Sequence, residues 1–126
     1  MFKILVSDSI AKEGLLAFEE YKNIKVDVKT GLPAEELAKI IGEYDGLVVR
    51  SATQFKGDVV EKAINMKVVG RAGAGVDNID VNLASKKGIV VMNTPGGNSE
   101  AAAELAVAMI TTLSRNIVAA SISMKE

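Results

Sequence analysis

The sequence predicts an α/β fold: a flavodoxin-like, doubly wound five-stranded parallel sheet in the order 2-1-3-4-5, with a long C-terminal helix. Three observations lead to it. Five short runs rich in β-branched residues alternate with helical patterns, and strict alternation builds parallel sheets covered by helices. The second run sets Ile24, Val26 and Val28 against Lys25, Asp27 and Lys29, a period of two that suits a half-solvated edge strand. Five strands in such alternation make the flavodoxin-like arrangement the natural expectation.

Each element has its own warrant. Lys3 to Ser7 reads as the first strand. Ala11 to Tyr21 reads as a helix with Leu15, Leu16 and Phe18 on its apolar face, and Ser7, Asp8 or Ser9 could cap it. The edge strand spans Ile24 to Lys29. Pro33 to Ile41 is expected to be helical, with proline in its first turn, Glu35 and Glu36 near its N-terminus and Gly42 after its end. Gly46 to Val49 is the third strand, Asp58 to Asn65 a short helix and Val68 to Ala72 the fourth strand. Val81 to Lys87 forms a helix capped by Asp80 and stopped by Gly88, and Ile89 to Met92 is the fifth strand. Asn98 to about Ser121 reads as one long helix. Its apolar residues, Leu105, Val107, Met109, Ile110 and Leu113, spread around the circumference, so it requires burial on several sides.

Composition narrows the function classes. The chain has 126 residues, 48% apolar and 25% charged, enough for one domain with a core. Fifteen basic and 16 acidic residues leave a net charge of −1, which favours neither nucleic acid nor an anionic membrane as partner. There is no cysteine and no histidine. Disulfides, thiolate chemistry, the usual zinc ligands and the commonest general acid/base near neutral pH are thereby removed. The N-terminal apolar run is too short for a signal peptide, and no run approaches the roughly 18 apolar residues of a transmembrane helix. A cytoplasmic location is the expectation.

In an open α/β sheet, ligands bind beyond the carboxyl ends of the strands, at the switch point. Strand 1 ends in Ser7-Asp8-Ser9, strand 3 in Arg50-Ser51-Ala52-Thr53, strand 4 in Gly73-Ala74-Gly75 and strand 5 in Asn93-Thr94. In the expected order these loops converge on one rim. Arg50 can hold a carboxylate or phosphate through two parallel hydrogen bonds, or it is a surface arginine in a turn. Gly73 and Gly75 flank Ala74, so backbone N–H groups can face one anion, or the glycines serve a tight strand-to-helix turn. The segment is not a dinucleotide fingerprint, because Asn78 stands where the third glycine would be. Asn98 opens the last helix, as an N-cap or as an amide beside the anion site. Asp77 and Asp80 read as turn and cap residues, and Glu100 complements the helix dipole. Glu104 is the one charge between Ala101 and Ser114, so it is expected to pair or to face a cleft.

Three segments together carry a family resemblance: Arg50-Ser51-Ala52-Thr53; Val69 through Asp80, with Gly73-Ala74-Gly75-Val76-Asp77-Asn78; and Val91-Met92-Asn93-Thr94-Pro95 through Glu104. In this order and spacing the chain resembles the D-isomer-specific 2-hydroxyacid dehydrogenases, most closely those that oxidise a phosphorylated 2-hydroxy acid. The resemblance implies that residues 1–97 are a flavodoxin-like substrate-binding domain and that 98–126 begin a nucleotide-binding domain. It implies that Arg50, Ser51 and Thr53 hold the anionic end of a small 2-hydroxy or 2-oxo acid, and that the backbone at Gly73, Ala74, Gly75 and Val76 receives its carboxylate. Ala74 would lie near the nicotinamide of NAD, and Asn98 would orient substrate. The family's glycine-rich cofactor loop and its catalytic arginine, glutamate and histidine have no counterpart in this chain, which is therefore expected to be inactive alone. Homo-oligomerisation through residues 98–121 is a further expectation. Two rivals are a glyoxylate- or hydroxypyruvate-reducing member of the same class and a nucleotide-sensing corepressor of the same fold.

Overall fold

A computed structural model describes residues 1–125, in two compact units, Met1–Pro95 and Gly96–Glu126, of which Glu126 itself lies outside the described residues. The first unit holds β1 (Phe2–Val6), α1 (Lys12–Glu19), β2 (Ile24–Val28), α2 (Ala34–Ile40), β3 (Gly46–Val49), α3 (Asp58–Lys62), β4 (Val68–Arg71), α4 (Val81–Lys86) and β5 (Val90–Met92). All strand pairs are parallel and the order is β2-β1-β3-β4-β5, as the sequence predicts.

Register decides which residues make the core. Leu5 pairs with Leu47, Leu47 with Val69 and Val69 with Val91, so these four share one face. The first three are at most 1% exposed. Against this face pack Leu37 and Ile41 from α2 and its end, Val60 from α3 and Ala84 from α4. The other face carries the row Ile4, Gly46, Val68 and Val90. It is less well covered: Val90 is 57% exposed, and α1 contributes no buried residue. The reversal of strand order at β1 explains the asymmetry. Right-handed crossovers put α1 on the face opposite to α2, α3 and α4, so one helix serves the second face.

Most element ends shift by one or two residues from expectation. Three differences have physical causes. α1 is capped at Ala11 without a side-chain bond, because Ser7 and Asp8 are buried, Ser7 bonded to β3 and Asp8 to the loop after it. Leu16 is 55% exposed, and Leu15 and Phe18 alone turn inward on that helix. α2 runs on into a 3-10 turn, Ile41–Glu43, which takes in the Gly42 expected to end it.

The second unit corrects the expectation of one long helix. It holds α5 (Ser99–Ser114) and α6 (Ile117–Ser123), bent by 59° from each other. Asn116 breaks them by adopting the left-handed conformation, φ 50° and ψ 37°, which asparagine tolerates better than most residues. Its carbonyl accepts from Ala120 and starts the next helix. Neither helix buries a residue. Among the described residues no single helix is long and apolar enough to cross a membrane.

Candidate functional site

The parallel register brings the carboxyl ends of β1, β3 and β4 side by side, so the loops beginning at Ser7, Arg50 and Ala72 form one rim. β5 joins it: Thr94 N–H donates to the Gly73 carbonyl at 3.0 Å, and Asn93 Nδ2 donates to the Ala74 carbonyl at 2.7 Å. Of the residues singled out in the first unit, Arg50, Ser51, Thr53, Gly73, Ala74, Gly75 and Val76 all lie on this rim, in two loops.

The first loop is Arg50–Thr53. The Arg50 guanidinium is exposed and spends one nitrogen, Nη1, on the Ser9 carbonyl at 3.2 Å. Ser51 is exposed beside it. With Asp8, Ser9, Thr30, Gly31 and Ala52 they line a cleft of ≈ 280 Å³. Thr53, expected with Arg50 and Ser51 at the anionic end of the acid, sits deeper in the loop. It is 8% exposed, and Oγ1 donates to Asp8 Oδ1 at 2.6 Å. It shapes the loop from below rather than lining its open side.

Asp8 is the hub that makes this so. Its carboxylate accepts from Arg50 N–H at 2.6 Å and from Thr53 N–H at 3.1 Å, besides the Thr53 hydroxyl. Burial pushes the Asp8 carboxyl up, but the Thr53 hydroxyl and the backbone N–H groups of Arg50, Thr53 and Ala52 outweigh it. The group is held below the ordinary carboxylate value.

The second loop is Gly73–Val76. The carbonyls of Gly73 and Ala74 are tied to β5 as above, whereas the N–H groups of Ala74, Gly75 and Val76 donate no hydrogen bond among the described residues. Ala74 and Gly75 are exposed. Anchored carbonyls and uncommitted amides are what a backbone receptor for an anion requires. Gly75 has a specific steric reason: a Cβ there would lie 2.9 Å from Arg71 Nη1 and 3.2 Å from Asp77 Oδ1. Arg71 runs beneath the loop, only 11% exposed along its side chain. It contacts Asp77 at 3.4 Å and donates from Nε to the Arg50 carbonyl at 3.0 Å. Asp80 caps α4 as expected, accepting from Leu83 N–H at 2.9 Å.

Sequence reasoning missed four contributors: Asp8 as hub, Arg71 as a strut between the loops, Asn78, and the Thr30-Gly31 wall. Asp8 was legible as an acid at the end of a central strand, where a buried carboxylate needs donors. Nothing in the spacing distinguishes Arg71 from a surface arginine.

In the second unit, Asn98 occupies the N-cap position of α5, but its side chain makes no capping bond. Its carbonyl accepts from Ala102 N–H at 2.9 Å. Glu100 lies in the first turn. Glu104, expected to pair or to face a cleft, is exposed and forms no ion pair among the described residues. A larger concavity of ≈ 680 Å³ on α6, lined by Arg115, Ile117 and Met124 among others, contains none of the expected site residues.

For NAD, the rim offers the exposed backbone at Ala74. The pyrophosphate cradle does not fit this loop: Asn78, where a third glycine would stand, is 1% exposed and committed to the carbonyls of Arg50 and Thr53.

Known proteins resemble this chain in sequence and fold. The chain is 48% identical over 126 residues to D-3-phosphoglycerate dehydrogenase of Synechocystis, covering 100% of this chain and 22% of that protein. To the enzyme of the same name from Archaeoglobus fulgidus it is 44% identical over 124 residues, covering 98% and 23%. The chain thus spans less than a quarter of these relatives. Its structure superposes on NAD+-bound 3-phosphoglycerate dehydrogenase of Entamoeba histolytica with a TM-score of 0.76 and 31% identity, covering 88% of this chain and 38% of that one. Residues 4–125 match the model of the D-isomer specific 2-hydroxyacid dehydrogenase catalytic domain, and the chain belongs to that family.

Proposed function

We propose that the protein carrying this chain oxidises the 2-hydroxyl of D-3-phosphoglycerate to the 2-oxo acid with NAD, the entry step of serine synthesis. This chain supplies the substrate side. The observation that carries the reading is the rim itself: an exposed guanidinium and three uncommitted backbone N–H groups on adjacent strand-end loops. Arg50 and Ser51 take one anionic end of the acid and the amides of Ala74, Gly75 and Val76 the other. Opposite charge and fixed donors orient the 2-carbon before reaction. NAD, when bound, accepts the hydride, and Ala74 is the position here that meets it.

The chain has no histidine to carry the proton released from the hydroxyl, so on its own it binds without turning over. Homo-oligomerisation through the apolar α5 and α6 belongs to the same proposal. Among solved structures of similar fold, the higher identity to the 3-phosphoglycerate dehydrogenase of Entamoeba histolytica (31%) than to the D-lactate dehydrogenases (25%) favours a phosphorylated acid over lactate.

The test is a titration of the isotopically labelled chain with 3-phosphoglycerate, followed by backbone amide shifts. Saturable shifts confined to Arg50–Thr53 and Gly73–Val76 support the reading. Shifts elsewhere, or none in a folded sample, count against this lobe as the receptor.

A further inference from the structure

We propose that Asp8 and Asn78 are positioning residues, a two-sided clamp that holds the Arg50–Thr53 loop in the shape in which it receives the anion. The inference rests on the reading of this rim as an anion receptor.

The loop has four backbone polar groups at its two ends, and two side chains hold all of them. From one side Asp8 accepts the N–H of Arg50 at 2.6 Å and that of Thr53 at 3.1 Å. From the other side Asn78 Nδ2 donates to the carbonyl of Arg50 at 2.7 Å and to that of Thr53 at 2.7 Å. Asp8 comes from the end of β1 and Asn78 from the segment after the second loop. The neighbours of β3 therefore impose the shape of its loop. Ser51 and Ala52, between the clamped ends, remain exposed.

Asn78 carries a second observation. Both its partners are carbonyl oxygens, so only the NH2 side of the amide can face them. That forces Oδ1 the other way, where it is buried with no hydrogen-bond partner among the described residues. A buried, unpartnered amide oxygen opposes folding. What Asn78 adds is two N–H donors on a single atom, at the reach that spans both ends of the loop. Its neighbours are fixed as well: Phe55 N–H donates to the Asn78 carbonyl at 2.9 Å, and Asp80 N–H donates to the Phe55 carbonyl at 2.9 Å. The clamp thus reports the spacing between the two loops to the position of Arg50.

The experiment uses the full-length protein, with wild type, Asn78→Ala and Asp8→Asn compared by calorimetric binding of 3-phosphoglycerate and by steady-state kinetics. Expected is a rise of about tenfold or more in the Kd and KM for the acid, with the KM for NAD unchanged. Asp8→Asn preserves size and shape, and it is read alone if Asn78→Ala does not fold. An unchanged Kd in the folded variants overturns the proposal. So does an equal rise in both KM values, or a loss of kcat that merely tracks a lowered melting temperature. If wild type binds the acid but does not turn it over, the dehydrogenase reading fails and the Kd comparison still decides the clamp. If wild type does not bind the acid, both fail.

Discussion

Thr53 shows how one residue of a recognisable motif can serve the shape of its loop. Its position after β3 made it a candidate ligand, because a hydroxyl near an arginine suits an anion. The structure buries it on Asp8 at 2.6 Å. Thr53→Val keeps the shape and removes the bond, leaving the carboxylate short of a donor. It is expected to lower unfolding free energy by about 1–3 kcal/mol, whereas Thr53→Ser restores most of it; urea unfolding distinguishes them. Asp8 itself makes stability depend on pH. Its folded pKa lies below the ordinary 3.8, so its contribution is complete above the unfolded value and is lost as pH falls through the folded one. Wild type should exceed Asp8→Asn in stability at neutral pH. The gap should shrink on acidification below 3.8, and a gap independent of pH would refute the assignment. Asp45, also lowered, is common to both proteins and cancels in the difference. The placement of Arg50, Ser51 and the glycine loop on the rim was legible because each directly follows a strand whose order the sequence predicts. Asn78 was not, since its value comes from a partner 28 residues away.

At the scale of elements, strand order was the most legible feature. The polar alternation of β2 identified an edge, and an edge next to β1 leaves few arrangements. Gly46 shows what the order demands of the central strand. A Cβ there would lie 2.6 Å from Ile4 Cδ1 and 3.4 Å from Val68 Cγ1, on the strands at either side. Gly46→Ala must displace the end of the Ile4 side chain, and overpacking of this kind costs about 1–3 kcal/mol. A melting temperature equal to wild type would show that the second face yields more readily than its packing suggests. The break between α5 and α6 was the least legible. Apolar periodicity continues through it, and the left-handed turn at Asn116 is a local backbone choice that hydropathy does not record. A Ser-Arg-Asn sequence without glycine or proline gives no strong stop.

The whole molecule is defined by what its apolar surface lacks. On α5 and α6, Leu105, Met109, Ile110, Leu113, Val118 and Ile122 are each more than half exposed, and clustered exposed apolar side chains favour association. Net charge of −1 provides little repulsion to keep copies apart. The chain alone is therefore expected to self-associate through residues 101–118. Because the driving force is burial of apolar area, association should persist at high salt, where charge-driven contacts weaken. Light scattering across concentration and ionic strength measures both. Leu105→Glu with Leu113→Glu should return the chain to monomer while leaving amide shifts at Arg50–Thr53 and Gly73–Val76 unchanged, since the changes fall in the second unit. A monomer at every concentration would mean that these side chains find cover within one chain. Association abolished by salt would assign it to charged groups instead, with Arg115 and Lys125 beside α6 the first to replace.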